Sequence, residues 1–567
     1  MKHLPPLAAV CLLIVPSAVM AQQLSPNPNP AGNTIIVDTS TASNDVSFEN
    51  LGAVDIHGNG KLANRGDFQT QNDGRVFVQG VWDNLGTFGN GNLFVIGKDG
   101  YLSNAASGDV ENSWQFNHSG YLINRGQVSN LYGGNGGGFT VEATGVFQNE
   151  AGSKFTSNTL FDNYGQTNGA VGSVVENSSH WNNREGGSVS VKGTLSNLEE
   201  GRISNAGNFT NEGLLINTEK NAKLTNLESG TLGNEAGATF ENLDWVENQG
   251  VVINRGSLNN RGIFENDSTI HNNGVFGIGT NGEMFNGGQW LNEGAVENQG
   301  DFFNNGSVQN KMSGSFSNLN NFSNTGNLTN DVGGVFTNSG SLGNEDNASV
   351  LNDGTLFNAS SFTNKGMLTN RAQLTNDGTL TNSSGGTLTN DGTIDTSDGT
   401  YTNNGTYNGN GKIIGDLTDY GVTRPGNTAG VMTIDGDYFK VEGSKEIELG
   451  GLFDGGDDKS LTEHDWLDVG GNVELAGTLT VSLLGGFDLH RGNVFNFLRV
   501  SGTLSGQYEG LDEGALVGTF GDQDLFITYV GGDGNDVALF TNVVPEPATV
   551  LIWSMLAGLG MTVRRRR

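Results

Sequence analysis

Leu368 to Asn390 reads LTNRAQLTNDGTLTNSSGGTLTN, one short phrase written four times. In each copy an apolar residue (Leu368, Leu374, Leu380, Leu388) precedes an Asn by two positions (Asn370, Asn376, Asn382, Asn390), and Gly commonly follows. The Asn residues are spaced by six, six and eight. Further out the phrase recurs at Asn318, Asn324, Asn330, Asn338, Asn344, Asn352, Asn358 and Asn364, and before that at Asn242, Asn248, Asn254, Asn260, Asn266 and Asn272.

Self-similarity at so short a period marks a solenoid, and three steps make a coil of about 18 to 20 residues, the scale of a three-sided parallel β-helix. In each step the apolar residue is expected to point inward and the next residue outward. Asn and Gly are expected at the corner, Asn because its amide tolerates the left-handed region and bonds local backbone, Gly because it lacks Cβ. Stacking sets Asn above Asn, so Asn370, Asn376, Asn382 and Asn390 are expected to join an amide ladder of the cross-β kind.

Composition fits one thin, repeated core. The 567 residues include 89 Gly and only 9 Pro, and 35% are hydrophobic. Regular spacing of the apolar residues argues against disorder, and repeat proteins escape the length scaling of globular domains. A solenoid from Thr34 to about Gly415 holds about 20 coils, an elongated rod of about 95 Å. The formal charge of −33 repels phosphate backbones, which argues against nucleic acid and leaves divalent cations and neutral or basic glycans as partners.

The two ends carry addresses. Met1 to Ala21 has Lys2, an apolar run through Leu12, Leu13, Ile14 and Val15, and a small-x-small site ending at Ala21, the pattern of a secretory signal cleaved there. Cys11, the only cysteine, lies inside it, so the mature chain is expected to hold no disulfide. Gln22 to Asn33 is polar and Pro-rich and reads as a flexible linker.

At the other end Pro545, Glu546 and Pro547 precede an apolar segment from Thr549 to Val563 and then Arg564, Arg565, Arg566 and Arg567. A short apolar span followed by Arg reads as a transmembrane helix with that end in the cytoplasm. In order and composition the tail resembles the sorting signal of PEP-CTERM proteins, exported by Gram-negative bacteria that typically make extracellular polysaccharide. The resemblance implies that an exosortase recognises Pro545, Glu546 and Pro547 and removes the tail, so that the anchor is transient.

After Gly415 the Asn spacing stops and strand-like segments follow, among them Val431 to Ile434, Glu446 to Leu449, Leu479 to Leu483 and Leu525 to Tyr529. With Pro425 to Gly430, Ile434 to Tyr438, Gly477 to Leu479 and Gly534 to Val537, residues 416–542 resemble the C-terminal passenger segment of autotransporter-like and PEP-CTERM β-solenoid proteins. That implies a β-rich cap, which would cover the open strand edges of the rod. The uninterrupted hexads resemble left-handed hexapeptide helices. The eight-residue steps and Asn-rich corners resemble the right-handed helices of filamentous-haemagglutinin-type adhesins, and the right-handed form is expected.

Candidate chemistry is sparse. Gly531 to Asp536 matches the start of a calcium-binding nonapeptide, but a single copy reads as a β-turn. Asp454, Asp457, Asp458, Glu463, Asp465 and Asp468 crowd one segment that reads as a solvated acidic loop, with bound calcium as the alternative. The histidines lack metal-ligand spacing. Trp82, Trp114, Trp181, Trp245 and Trp290 sit in or near the Leu slot and are expected inward, with sugar-stacking platforms as the alternative. Thr379/Thr381, Thr387/Thr389 and Thr400/Thr402 resemble the flat arrays of ice-binding solenoids, though Thr is also simply a good strand residue.

Together these readings give an all-β, right-handed parallel β-helix with a β-rich cap and a C-terminal sorting helix. They place it first in the inner membrane, then at the cell surface or in the extracellular matrix of a Gram-negative bacterium. The expected role is adhesive or structural, in exopolysaccharide or biofilm, with exosortase, extracellular polysaccharide and other surface proteins as partners. No catalytic, cofactor or metal residue is assigned. The alternative is a polysaccharide-processing β-helix enzyme, a lyase or glycosidase.

Overall fold

The computed structural model describes residues 21–131, 137–426 and 428–542. It is an all-β parallel solenoid with one short 3-10 turn at Lys459–Leu461. The chain divides into two compact units, one reaching Ser196 together with Gly201–Ile203, the other formed by Asn197–Glu200 and the residues from Ser204.

The second unit shows how the phrase folds. Each copy is a four-residue strand such as Gln373–Asn376 or Thr379–Asn382, whose second and fourth residues are buried. Two-residue corners such as Asp377–Gly378 give the six-residue step, and four-residue corners such as Ser383–Gly386 give the eight. Three strands close a coil, so each strand pairs in parallel with the third strand on, Ser361–Asn364 with Thr379–Asn382 and Met367–Asn370 with Thr387–Asn390. Burying one Leu or Phe per strand contributes roughly 1.5 to 3 kcal/mol, repeated along the stack. The interior rings pack on one another, Trp290 on Phe302 at 5.2 Å and Phe302 on Phe322 at 4.6 Å.

The corner differs from the expectation for Asn and for most Gly. The ladder Asn residues are strand residues with buried side chains, not left-handed corner residues. Gly is required instead by close approach: a Cβ on Gly378 would lie 2.0 Å from the carbonyl oxygen of Ser360 in the coil below. Positive φ occurs at a subset of sites, among them Gly333 and Gly385 in four-residue corners.

The first unit uses the same plan, with Tyr101–Asn104 paired to Val81–Asn84 and to Tyr121–Asn124. In one of its sheets the fourth strand position is first aliphatic rather than Asn, with one His among the aliphatic residues, the column running Val37, Ile56, Val78, Ile96, His118 and Val141. Gln22–Asn33 is not a free linker. Gln22–Gln23 pairs in parallel with Ala42 and Ser43, and Leu24 and Asn29 are buried, because the first coil's open edge takes up the segment before it.

The loss of Asn spacing after Gly415 is not a break in the stack. Leu417–Asp419, Tyr438–Lys440 and Val473–Leu475 continue one sheet in parallel, and Val431–Asp435, Trp466–Val469 and Val494–Val500 another. Antiparallel strand pairs close the stack, Leu516–Phe520 on Gln523–Gly531 and Asp536–Thr541 on both Val494–Val500 and Gln523–Gly531. No helix among the described residues is long and apolar enough to cross a membrane. The expected transmembrane segment, with Pro545, Glu546, Pro547 and Arg564 to Arg567, lies outside the described residues.

Candidate functional site

The residues singled out by the repeat form buried amide columns along the interior, one beneath each sheet. Asn370 donates its side-chain amide to Asn390 at 2.8 Å, and Asn382 donates to Asn403 at 2.7 Å. Asn376 lies in a third column and donates to the Thr396 hydroxyl at 3.3 Å. Consecutive phrases are therefore not stacked; every third one is. Each amide also reaches the backbone of the next coil, as Asn370 does to the Thr393 carbonyl at 3.0 Å. Ile278 interrupts one column and leaves Asn298 Oδ1 without a donor among the described residues.

The longest column among the described residues of the second unit runs from Asn205 through Asn226, Asn324 and Asn364 to Asn403 and ends on a carboxylate. Asn403 donates to Asp419 Oδ1 at 2.7 Å. Asp419 Oδ2 accepts from Tyr438 at 2.9 Å and from Lys440 Nζ at 2.8 Å, and also from the Thr423 hydroxyl. Both ion-pair side chains are fully buried. Lys440 occupies the Asn position of the next coil, and burial lowers its pKa. Nearby, Lys445 is buried with no hydrogen-bond partner for Nζ among the described residues, and burial pushes its pKa down to about 7. The sequence offered no repeat from which this cluster could be read.

Beside it opens a cleft of about 440 Å³ lined by Arg424, Glu446, Glu448, Asp465 and Thr480 among others. Arg424 pairs with Glu446. Asp465 accepts the backbone N–H groups of Gly430 and Glu448, each at 2.9 Å, while burial pushes its pKa up to about 8. The acidic segment is not uniformly solvated: Asp454 pairs with Arg499 and Asp468 with Lys459, and Asp465 is buried. Among the described residues no group of three or more His, Cys, Asp or Glu side chains is placed to hold a metal ion. In the Gly531–Asp536 turn, Asp536 accepts the Val500 N–H at 2.9 Å and so serves the hairpin.

The tryptophans divide. Trp82, Trp181 and Trp290 are buried as expected, but Trp114 sits at a corner and Trp245 faces outward, 37% exposed. Trp245 lies on the outer face of one sheet with two further aromatic residues, Phe285 and Phe303, whose rings stack at 5.0 Å and 15°. Lys223 Nζ sits 3.9 Å over the Trp245 ring and pairs with Glu247, and the indole N–H donates to Glu265 at 3.2 Å. Ala21, the expected cleavage site, is half-buried at the start of the described chain.

No family model matches the chain, and no curated protein does. Solved structures similar to it include the following two. One is the TibC-catalysed, hyper-glycosylated TibA fragment 55–350, at 13% identity over 59% of this chain and 97% of that one, with a TM-score of 0.17. The other is the Haemophilus influenzae Hap adhesin, at 10% identity over 88% of this chain and 64% of that one, with a TM-score of 0.27.

Proposed function

We propose that the chain is an exported surface or matrix protein that works as an adhesive or structural scaffold in extracellular polysaccharide. The observation that supports it most is the register of the outward residues. Ser341, Ser361, Thr379 and Thr400 align in one column, with Thr363, Thr381, Thr402 and Thr418 in the next. Rows of this kind offer the same polar contact many times over, which suits multivalent attachment to a repeating polymer. Sorting by an exosortase, through Pro545, Glu546 and Pro547, is part of the same reading.

The test is fractionation of the producing cell with one epitope tag after Asn33 and another after Arg567. The first tag is expected at the outer surface or in the medium and the second to be lost. Retention of both in the inner membrane would replace the scaffold with a permanently anchored periplasmic protein. Pro545→Ala with Pro547→Ala is expected to leave the tail attached, as read by intact mass.

A second reading, a polysaccharide-processing enzyme, draws on the cleft that brings Glu446, Glu448 and Asp465 together. Glycosidases need two carboxylates with divided roles. Release of new sugar ends from a polysaccharide, abolished by Glu448→Gln, would favour it.

A further inference from the structure

We propose that the outward face carrying Trp245, Phe285 and Phe303 binds an amine-bearing glycan, a polymer of hexosamine whose amino groups are free. The source of this ligand rests on the scaffold reading above; the site itself stands or fails on its own.

The face is set by register. One outward column runs Lys223, Trp245, Ile263, Glu283 and Asp301, and the column beside it runs Thr225, Glu247, Glu265, Phe285 and Phe303. The apolar pair Trp245 and Ile263 thus lies beside two carboxylates, and two coils on the sides exchange, with Phe285 and Phe303 beside Glu283 and Asp301. On the following coils the same positions hold Asn321 and Ser323, then Ser341 and Gly343, then Ser361 and Thr363. Small residues therefore suffice to build this sheet, and the aromatic side chains are not needed for its core, which Met284 and Phe302 fill from the opposite face.

Two physical features select the guest. The Phe285 and Phe303 rings stack on one another and form an apolar ridge along an outward column of an open sheet, against which the C–H groups of a pyranose ring can pack, and aromatic groups supply contact area at low conformational cost. Carboxylates are also stacked directly in register, Glu247 over Glu265 and Glu283 over Asp301, an arrangement that is unfavourable without a cation. Lys223 answers Glu247, and the Trp245 indole answers Glu265. No salt bridge is formed by Glu283 or Asp301 among the described residues, so a guest with free amines beside its pyranose faces completes the charge pattern. An anionic glycan is repelled by the same groups.

The experiment uses the full chain and three probes: chitosan oligosaccharides, their fully N-acetylated counterparts, and a polylysine peptide, titrated by calorimetry at low salt. Chitosan oligosaccharides are expected to bind. Phe285→Ser with Phe303→Ser and, separately, Glu283→Gln with Asp301→Asn are each expected to weaken binding by about tenfold. All four substitutions are outward, and unchanged circular dichroism and melting show that any loss is local. Equal binding of the acetylated probe overturns the role of the amines. Unchanged affinity in both double variants overturns the site. Tighter binding of polylysine, lost with the carboxylates but not with the phenylalanines, assigns the face to a basic peptide instead. Each of these outcomes is independent of where the tagged chain fractionates.

Discussion

Asn403 hands its side-chain amide to the buried carboxylate of Asp419 at 2.7 Å, so a column of neutral amides ends on a charge, and that charge is answered within the next coil by Lys440 at 2.8 Å. A buried ion pair is weak evidence of stabilisation as a pair, but removing one partner strands the other. Asp419→Asn keeps an acceptor for Asn403 and leaves Lys440 uncompensated. It is expected to cost about 3 to 5 kcal/mol in urea unfolding. Adding Lys440→Met should recover most of that loss, and a double variant no more stable than the single would show that the pair does not dominate the cluster.

The interior amides give a second contrast. Asn338 accepts from Asn318 at 2.7 Å, donates to Asn358 at 2.7 Å and donates to the Ser361 carbonyl at 2.8 Å. Asn338→Ala leaves buried neighbours unsatisfied and is expected to cost about 1 to 3 kcal/mol per group stranded. Thr337→Ala, one residue earlier on the outward side, should fall within about 0.5 kcal/mol of the parent. Because each coil contacts only its neighbours, amide exchange should localise the Asn338→Ala loss to the adjoining coils.

The period was legible in the sequence because the inward position recurs two residues before each Asn. The same rule separates the tryptophans: Trp290 stands two before Asn292 and is buried, whereas Trp245 stands three before Asn248, behind Val246, and faces out. It also places Phe285 and Phe303, each directly before an Asn, on the outer face. That the Asn side chains turn inward was not legible, since a corner Asn and a buried ladder Asn follow the same spacing. Past Gly415 the slot changes chemistry, to Asp419 and then Lys440, and a pattern that relies on residue type loses the position although the backbone keeps it.

Two corner glycines separate crowding from backbone strain. Gly378 has room for no Cβ, the nearest atoms being Ser360 backbone at 2.0 to 2.7 Å, so Gly378→Ala forces adjoining coils apart. Gly385 has φ +90° and nothing within 4 Å, so Gly385→Ala meets only the penalty of a left-handed residue, about 1 to 3 kcal/mol. Melting should fall further for Gly378→Ala. Equal losses would mean that the corner can open without disturbing the coil below.

His118 makes acid stability a property of one side chain in the first unit. It lies fully buried between Ile96 and Val141 in an apolar column, and neither ring nitrogen has a hydrogen-bond partner among the described residues. Burial disfavours the imidazolium and lowers the pKa from 6.5 to about 4. Between those values the unfolded chain binds a proton that the folded chain refuses, so the His118 contribution is fully present above about pH 6.5 and is lost as pH falls toward 4. His118→Val replaces the ring with the aliphatic type found above and below it. The variant is expected to melt higher than the parent at pH 5, with a smaller difference at pH 8, in parallel scans of both proteins. A difference that does not change with pH would show that the imidazole is not being charged on unfolding and that the gain comes from packing alone.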